Sequence, residues 1–119
     1  MPDRVGIARR RRISAPSSVG LDSAVFLDRD GTLIEDRGFL SEPSQVEFYA
    51  GTVPALRALQ DRFRLFIVTN QTGVAKGELT LAEVERVNRY VVRWLEERDI
   101  HIVEVYCCPH AREDGCACI

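Results

Sequence analysis

Asp28 and Asp30 flank a single arginine and are followed at once by Gly31 and Thr32, at the end of the apolar run Ala24-Val-Phe-Leu27. Two carboxylates so close, in a tight glycine turn, can share one Mg²⁺ while playing different parts. One can attack phosphorus in line; the other can protonate a leaving alcohol and later deprotonate a water. Other readings of so short a pattern stay open, since an Asp-Gly pair also marks hairpins and the turn here can lead into one. A calcium loop is excluded. It wants glycine and glutamate at positions that Leu33 and Phe39 occupy.

A second group follows the run Arg64-Leu-Phe-Ile-Val68: Thr69, Asn70 and Gln71, with Gly73 and Lys76 close behind. A hydroxyl, side-chain amides and backbone N–H groups at a strand end could hold a phosphoryl group. Taken alone, the same residues also suit an ordinary polar turn. A third group closes the chain, where all four cysteines, Cys107, Cys108, Cys116 and Cys118, fall in the last thirteen residues beside His110. Cys-x-His and Cys-x-Cys pairs offer three thiolates and one imidazole, a complete tetrahedral set for structural zinc. Disulfides are the alternative, disfavoured in a reducing cytosol; idle thiols would leave the placement of His110 unexplained. With four protein ligands such a zinc has no open position, so it holds a loop and does no chemistry.

The elements needed to position these groups are legible around them. Ser23–Asp28 and Arg64–Thr69 are consecutive apolar runs that suit strands covered on both faces. His101–Cys107 alternates partially, which predicts a third, less buried strand. Between them lie two helices. Thr52 or Gly51 can cap the first, Pro54 fits its first turn, and Leu56, Leu59 and Phe63 form its stripe. Thr80 to Glu83 is a capping box for the second, along which Val84, Val87, Val91 and Leu95 recur, with Trp94 as further core material. Strand–helix–strand–helix–strand predicts an α/β fold, a parallel sheet with right-handed crossovers and helices packed on it. Ligands of such sheets sit beyond the carboxyl ends of the strands, where all three polar groups fall.

Composition sets the outer limits. The chain has 119 residues, 45% hydrophobic and 29% charged, a balance that suits one globular domain. No apolar run approaches a membrane span of ~20 residues. Residues 1–22 read as a disordered basic tail that includes Arg9 to Arg12, and the foldable part begins at residue 23. The apolar stretch a secretory signal needs does not follow those arginines, which predicts a cytoplasmic protein with reduced cysteines. A net charge of −2 argues against a general nucleic-acid binder.

FLDRDGTL from Phe26, followed about forty residues later by VTNQTGVAKG, resembles the haloacid-dehalogenase-like (HAD) phosphatases. The subgroup it is similar to includes heptose-bisphosphate and histidinol-phosphate phosphatases. The resemblance implies a Rossmann-like three-layer sandwich and a Mg²⁺-dependent phosphomonoesterase that forms an aspartyl phosphate. It makes Asp28 the nucleophile and Asp30 the general acid/base, both at the Mg²⁺ site, and Thr69, Asn70 and Gln71 the phosphoryl-binding residues. Lys76 falls where related sequences place a basic substrate contact. The subgroup's Cys-Pro-His…Cys-x-Cys loop selects Cys108, His110, Cys116 and Cys118 for Zn²⁺ and leaves Cys107 as the buried end of a strand. Asp36 to Phe39 and the T-N-Q-T-G run look closer to the heptose-bisphosphate enzymes, so a small sugar phosphate is the expected substrate. Polynucleotide 3′-phosphatases share the first two motifs and lack the zinc loop.

The family pattern continues past Cys118 with Arg-Lys-Pro, an acidic motif and two further strands, and the sequence stops at Ile119. The resemblance therefore also implies a bare sheet edge, self-association through it, and weak activity of this chain alone. The rival expectation is a zinc-stabilised remnant that acts as a binding module.

Overall fold

The computed structural model describes residues 22–110. Its elements are strand β1 (Ala24–Asp28), helix α1 (Thr52–Gln60), strand β2 (Arg64–Asn70), helix α2 (Leu81–Glu96) and strand β3 (Ile102–Cys108), with a short 3₁₀ turn at Pro43–Gln45. The basic tail lies outside the described residues, as do Cys116 and Cys118.

The three strands form one parallel sheet in the order β1-β2-β3, with Asp28 opposite Val68, Thr69 opposite Cys107 and Asn70 opposite Cys108. Successive right-handed crossovers that step in one direction deliver both helices to the same face. The described residues thus form two layers, the sheet and one helical layer. The core lies between them: Leu65 and Ile67 from β2, Val105 from β3, Leu56 from α1, and Val87, Val91 and Leu95 from α2, each at most 3% exposed. The opposite face carries Phe26, Phe66 and Tyr106, with the Phe26 and Phe66 rings stacked at 4.9 Å. Phe26 is 59% exposed and Val68 43%.

This corrects two expectations. β1 was expected to be covered on both faces, and alternate residues along it are exposed because among the described residues it is an edge strand with helices on one side only. β3 was expected to be the less buried strand, and Ile102, Glu104, Val105, Cys107 and Cys108 are all buried. A register shift between Leu65 and Phe66 lies where β2 meets β3. Alternation within one strand could not reveal what neighbouring segments cover.

Helix ends follow local chemistry. At α2, Thr80 Oγ1 accepts from the Glu83 N–H at 3.1 Å and Glu83 Oε1 accepts from the Thr80 N–H at 2.9 Å, the expected capping box. Its last turn ends with Asp99 at φ 64°, and the Ile100 N–H bonds back to the Leu95 carbonyl at 3.0 Å. Gly51 is the N-cap of α1 and caps without a side chain. Thr52 does other work: its buried hydroxyl donates to the Leu33 carbonyl at 2.7 Å, which ties the helix to the turn after β1.

Candidate active site

The chain leaves β1 through a turn organised on one carbonyl. The N–H groups of Leu33 and Ile34 point to the Arg29 oxygen at 3.0 and 3.2 Å, and Gly31 closes the turn at φ 82°, a conformation that a side chain would strain. The turn does lead into a small antiparallel flap: Glu35 donates to the Glu47 carbonyl at 2.8 Å and Tyr49 to that of Leu33 at 3.3 Å. The hairpin reading of the Asp-Gly pair holds, and the flap carries Asp36, Gly38 and Phe39 back over the strand ends.

Between flap and strand ends lies a cleft of about 350 Å³. Asp28 and Asp30 line it from β1, Asn70 to Gly73 from the loop after β2, and Asp36, Gly38 and Phe39 from the flap. A Cβ on Gly73 would meet the Phe39 ring at 2.7 Å, so glycine there lets the flap close on the loop. The two motifs that lie forty residues apart in sequence thus line one space side by side, beneath the flap.

Within it the residues divide by exposure. Asp28 and Asn70 are exposed, and one Asp28 oxygen is oriented by the Arg29 N–H at 2.9 Å. Thr69 and Gln71 are buried at 2% and 4%. The Gln71 Nε2 group donates to Thr69 Oγ1 at 2.7 Å and to Asp30 Oδ2 at 2.9 Å, so this amide bridges the two motifs from inside. Gln71 also donates its backbone N–H to the Cys108 carbonyl at 2.8 Å, which fastens the loop to β3. Lys76 is exposed further along the loop and does not line the cleft.

Two residues that the motif reading passed over complete the arrangement. Arg29, 1% exposed, forms a bidentate pair with the Asp30 carboxylate at 3.1 and 3.0 Å, and its third nitrogen donates to Asn88 Oδ1 at 2.8 Å. Asn88 lies four residues after Val84, on the apolar stripe of α2, and is buried. An amide at a core position requires a partner, and that was the available signal.

At the end of β3, Cys107 is buried and free, and burial pushes its thiol up to about 11. Cys108 Sγ lies 3.8 Å from His110 Nδ1. Cys108 is disulfide-bonded in this structure. Among the described residues no three of His, Cys, Asp and Glu gather as a metal cluster, and no helix is long and apolar enough to cross a membrane.

No protein-family model matches the chain. It is 41% identical over 88 residues to D-glycero-beta-D-manno-heptose-1,7-bisphosphate 7-phosphatase of Escherichia coli (strain K12), an alignment that covers 73% of this chain and 46% of that protein. A probable phosphatase of the same name from Thermoplasma volcanium is 38% identical over 95 residues, 79% of this chain and 65% of that one. Among solved structures, D,D-heptose 1,7-bisphosphate phosphatase from B. bronchiseptica, crystallised with magnesium and phosphate, superposes with a TM-score of 0.74 at 29% identity. That match covers 82% of this chain and 55% of the other. The chain spans about half the length of the relatives it matches.

Proposed function

We propose that this chain, which belongs to the haloacid-dehalogenase-like phosphatases by sequence and fold, carries the phosphoryl-transfer half of a phosphomonoesterase for a small sugar phosphate. The observation that carries the reading is the shared cleft: an exposed carboxylate at the end of β1, the polar end of β2 beside it, and a second carboxylate fixed by the Gln71 amide.

Asp28 attacks phosphorus with a carboxylate oxygen, and the bond from phosphorus to the ester oxygen breaks. Asp30 gives its proton to the departing alkoxide, then takes one from the water that cleaves the aspartyl phosphate, so phosphate leaves and both carboxyl groups are restored. The Asn70 amide donates to the phosphoryl oxygens, a role supported by its exposure in the cleft, with Thr69 and Gln71 behind it as the braced end of β2.

The donor set suits Mg²⁺, which keeps several waters and takes only one or two carboxylates. The Asp28 carboxylate and the Asp30 backbone carbonyl would hold it, and when bound it offsets charge on the phosphoryl oxygens. The heptose-bisphosphate names of the relatives favour a sugar bisphosphate over histidinol phosphate, and carbohydrate metabolism in the cytoplasm is the setting proposed with it. Phosphate release from D-glycero-D-manno-heptose 1,7-bisphosphate, glucose 6-phosphate and histidinol phosphate, with and without Mg²⁺, tests this. The reading expects Mg²⁺-dependent turnover that is highest for the heptose. Highest turnover of histidinol phosphate would reassign the substrate, and none of the three being hydrolysed would favour the binding-module reading.

For the reduced chain we also propose one structural zinc on Cys108, His110, Cys116 and Cys118. The adjacency of Cys108 and His110 supports it, and the disulfide at Cys108 is its competitor. Elemental analysis after reducing purification should find about one zinc per chain; metal-free, fully folded protein would favour the disulfide.

A further inference from the structure

Arg29 stands between the two carboxylates of the site, yet at 1% exposure its guanidinium cannot touch a substrate in the cleft. A buried cation is tolerated only when it is well paired. Its partners are specific. The Nε group donates to Asp30 Oδ1 at 3.1 Å and Nη2 to Asp30 Oδ2 at 3.0 Å, while Nη1 donates to Asn88 Oδ1 at 2.8 Å. A bidentate fork fixes the plane of a carboxylate as well as its place, which a single hydrogen bond does not. Together with the Gln71 amide at 2.9 Å, three of the roughly four lone-pair directions of Asp30 are used. The free direction belongs to Oδ1. Asn88 in turn connects this clamp to α2, the longest helix among the described residues.

We infer that Arg29, steadied by Asn88, is a positioning residue: it locks the Asp30 carboxyl group in the one orientation from which the proton carried at the open Oδ1 position is donated to the leaving-group oxygen as the ester bond breaks, leaving Asp30 as the carboxylate. This rests on the phosphomonoesterase reading above. Its consequence is selective. A clamp on the proton donor matters for an ester whose alkoxide must be protonated as it leaves, and little for one whose leaving group departs as a stable anion.

The test compares kcat/KM for an alkyl ester, glycerol phosphate, with that for p-nitrophenyl phosphate in the Mg²⁺-loaded chain. General acid catalysis contributes about 10²–10⁴-fold, so Arg29→Met should lower the alkyl-ester value about 10²-fold and Asn88→Ala about tenfold. Because p-nitrophenolate needs no proton to leave, the p-nitrophenyl phosphate value should stay within about threefold. Inorganic phosphate affinity, measured by calorimetry, should also stay within about threefold, since Arg29 does not reach the anion. Asn88→Ala keeps the test decisive if Arg29→Met fails to fold. Equal falls on the two esters would show a merely structural role and overturn the inference. A collapse of phosphate affinity would make Arg29 an anion-binding group and overturn it too. If the unaltered chain turns over neither ester, the phosphatase reading fails first and this inference with it.

Discussion

The two faces of the sheet carry the same strands and do opposite work. On the helix-covered face, Ile67, Thr69, Val105 and Cys107 are at most 3% exposed. On the other, reached by moving a single residue along each strand, Phe26 and Val68 are among the most exposed large apolar side chains. At the carboxyl edge the contrast becomes chemical. Asp28 and Asn70 fall on the open side and are exposed, whereas Thr69, Gln71 and Arg29 fall inward and hydrogen-bond one another, Asp30 or Asn88. The outer set stays open to the cleft while the inner set is held by its own hydrogen bonds.

The largest effect should come from the outer set. Asp28→Asn keeps shape and removes the attacking charge, so turnover should fall on the order of 10⁴-fold or more. Because Asp28 is exposed, the urea midpoint should barely move. Loss of activity with parallel loss of folding would place Asp28 among the structural residues and erase the contrast.

Adjacent residues on β2 sharpen it on the stability scale. Ile67→Ala, at a site 1% exposed, should cost about 2–5 kcal/mol in urea unfolding. Val68→Ala next to it is 43% exposed and should cost less than about 1 kcal/mol. Similar losses at the two positions would mean that the open face is covered in solution.

Cys107 offers a chemical probe of the covered face. With its thiol pushed up to about 11 by burial, it should resist iodoacetamide at pH 8 in the native chain and react once guanidinium unfolds it. Rapid native labelling would show that the strand end opens.

The edge of β1, unpaired among the described residues, offers a further probe. Beside β1 lies an apolar hollow of about 290 Å³, lined by Leu27, Leu56 and Leu59, and Phe26 stands exposed on the same strand. Unpaired edge strands template association, and we propose that two copies meet here. Phe26→Lys should lose the stacking on Phe66, about 0.5–1.5 kcal/mol, while it lowers the apparent mass by light scattering. An unaltered chain that is monomeric at high concentration would remove the proposal.

Much of this was legible from the chain itself, for reasons that are local. Consecutive apolar residues from Arg64, the Thr80–Glu83 capping box and the valine stripe of α2 each encode an element within a few residues, and their alternation leaves a parallel sheet as the natural packing. Asp28, Asp30, Thr69 and Asn70 stood out because the chemistry needs those groups at strand ends. Tertiary structure alone decided the rest. Burial of β3 and exposure of Phe26 depend on which side receives two helices, and that is fixed by strand order. Lys76 shares a loop with Gln71 and is exposed without lining the cleft. Arg29 reads in sequence as a spacer between two aspartates. It becomes the brace of Asp30 only when α2, distant in the chain, brings Asn88 within 2.8 Å of a guanidinium that has no water left to solvate it.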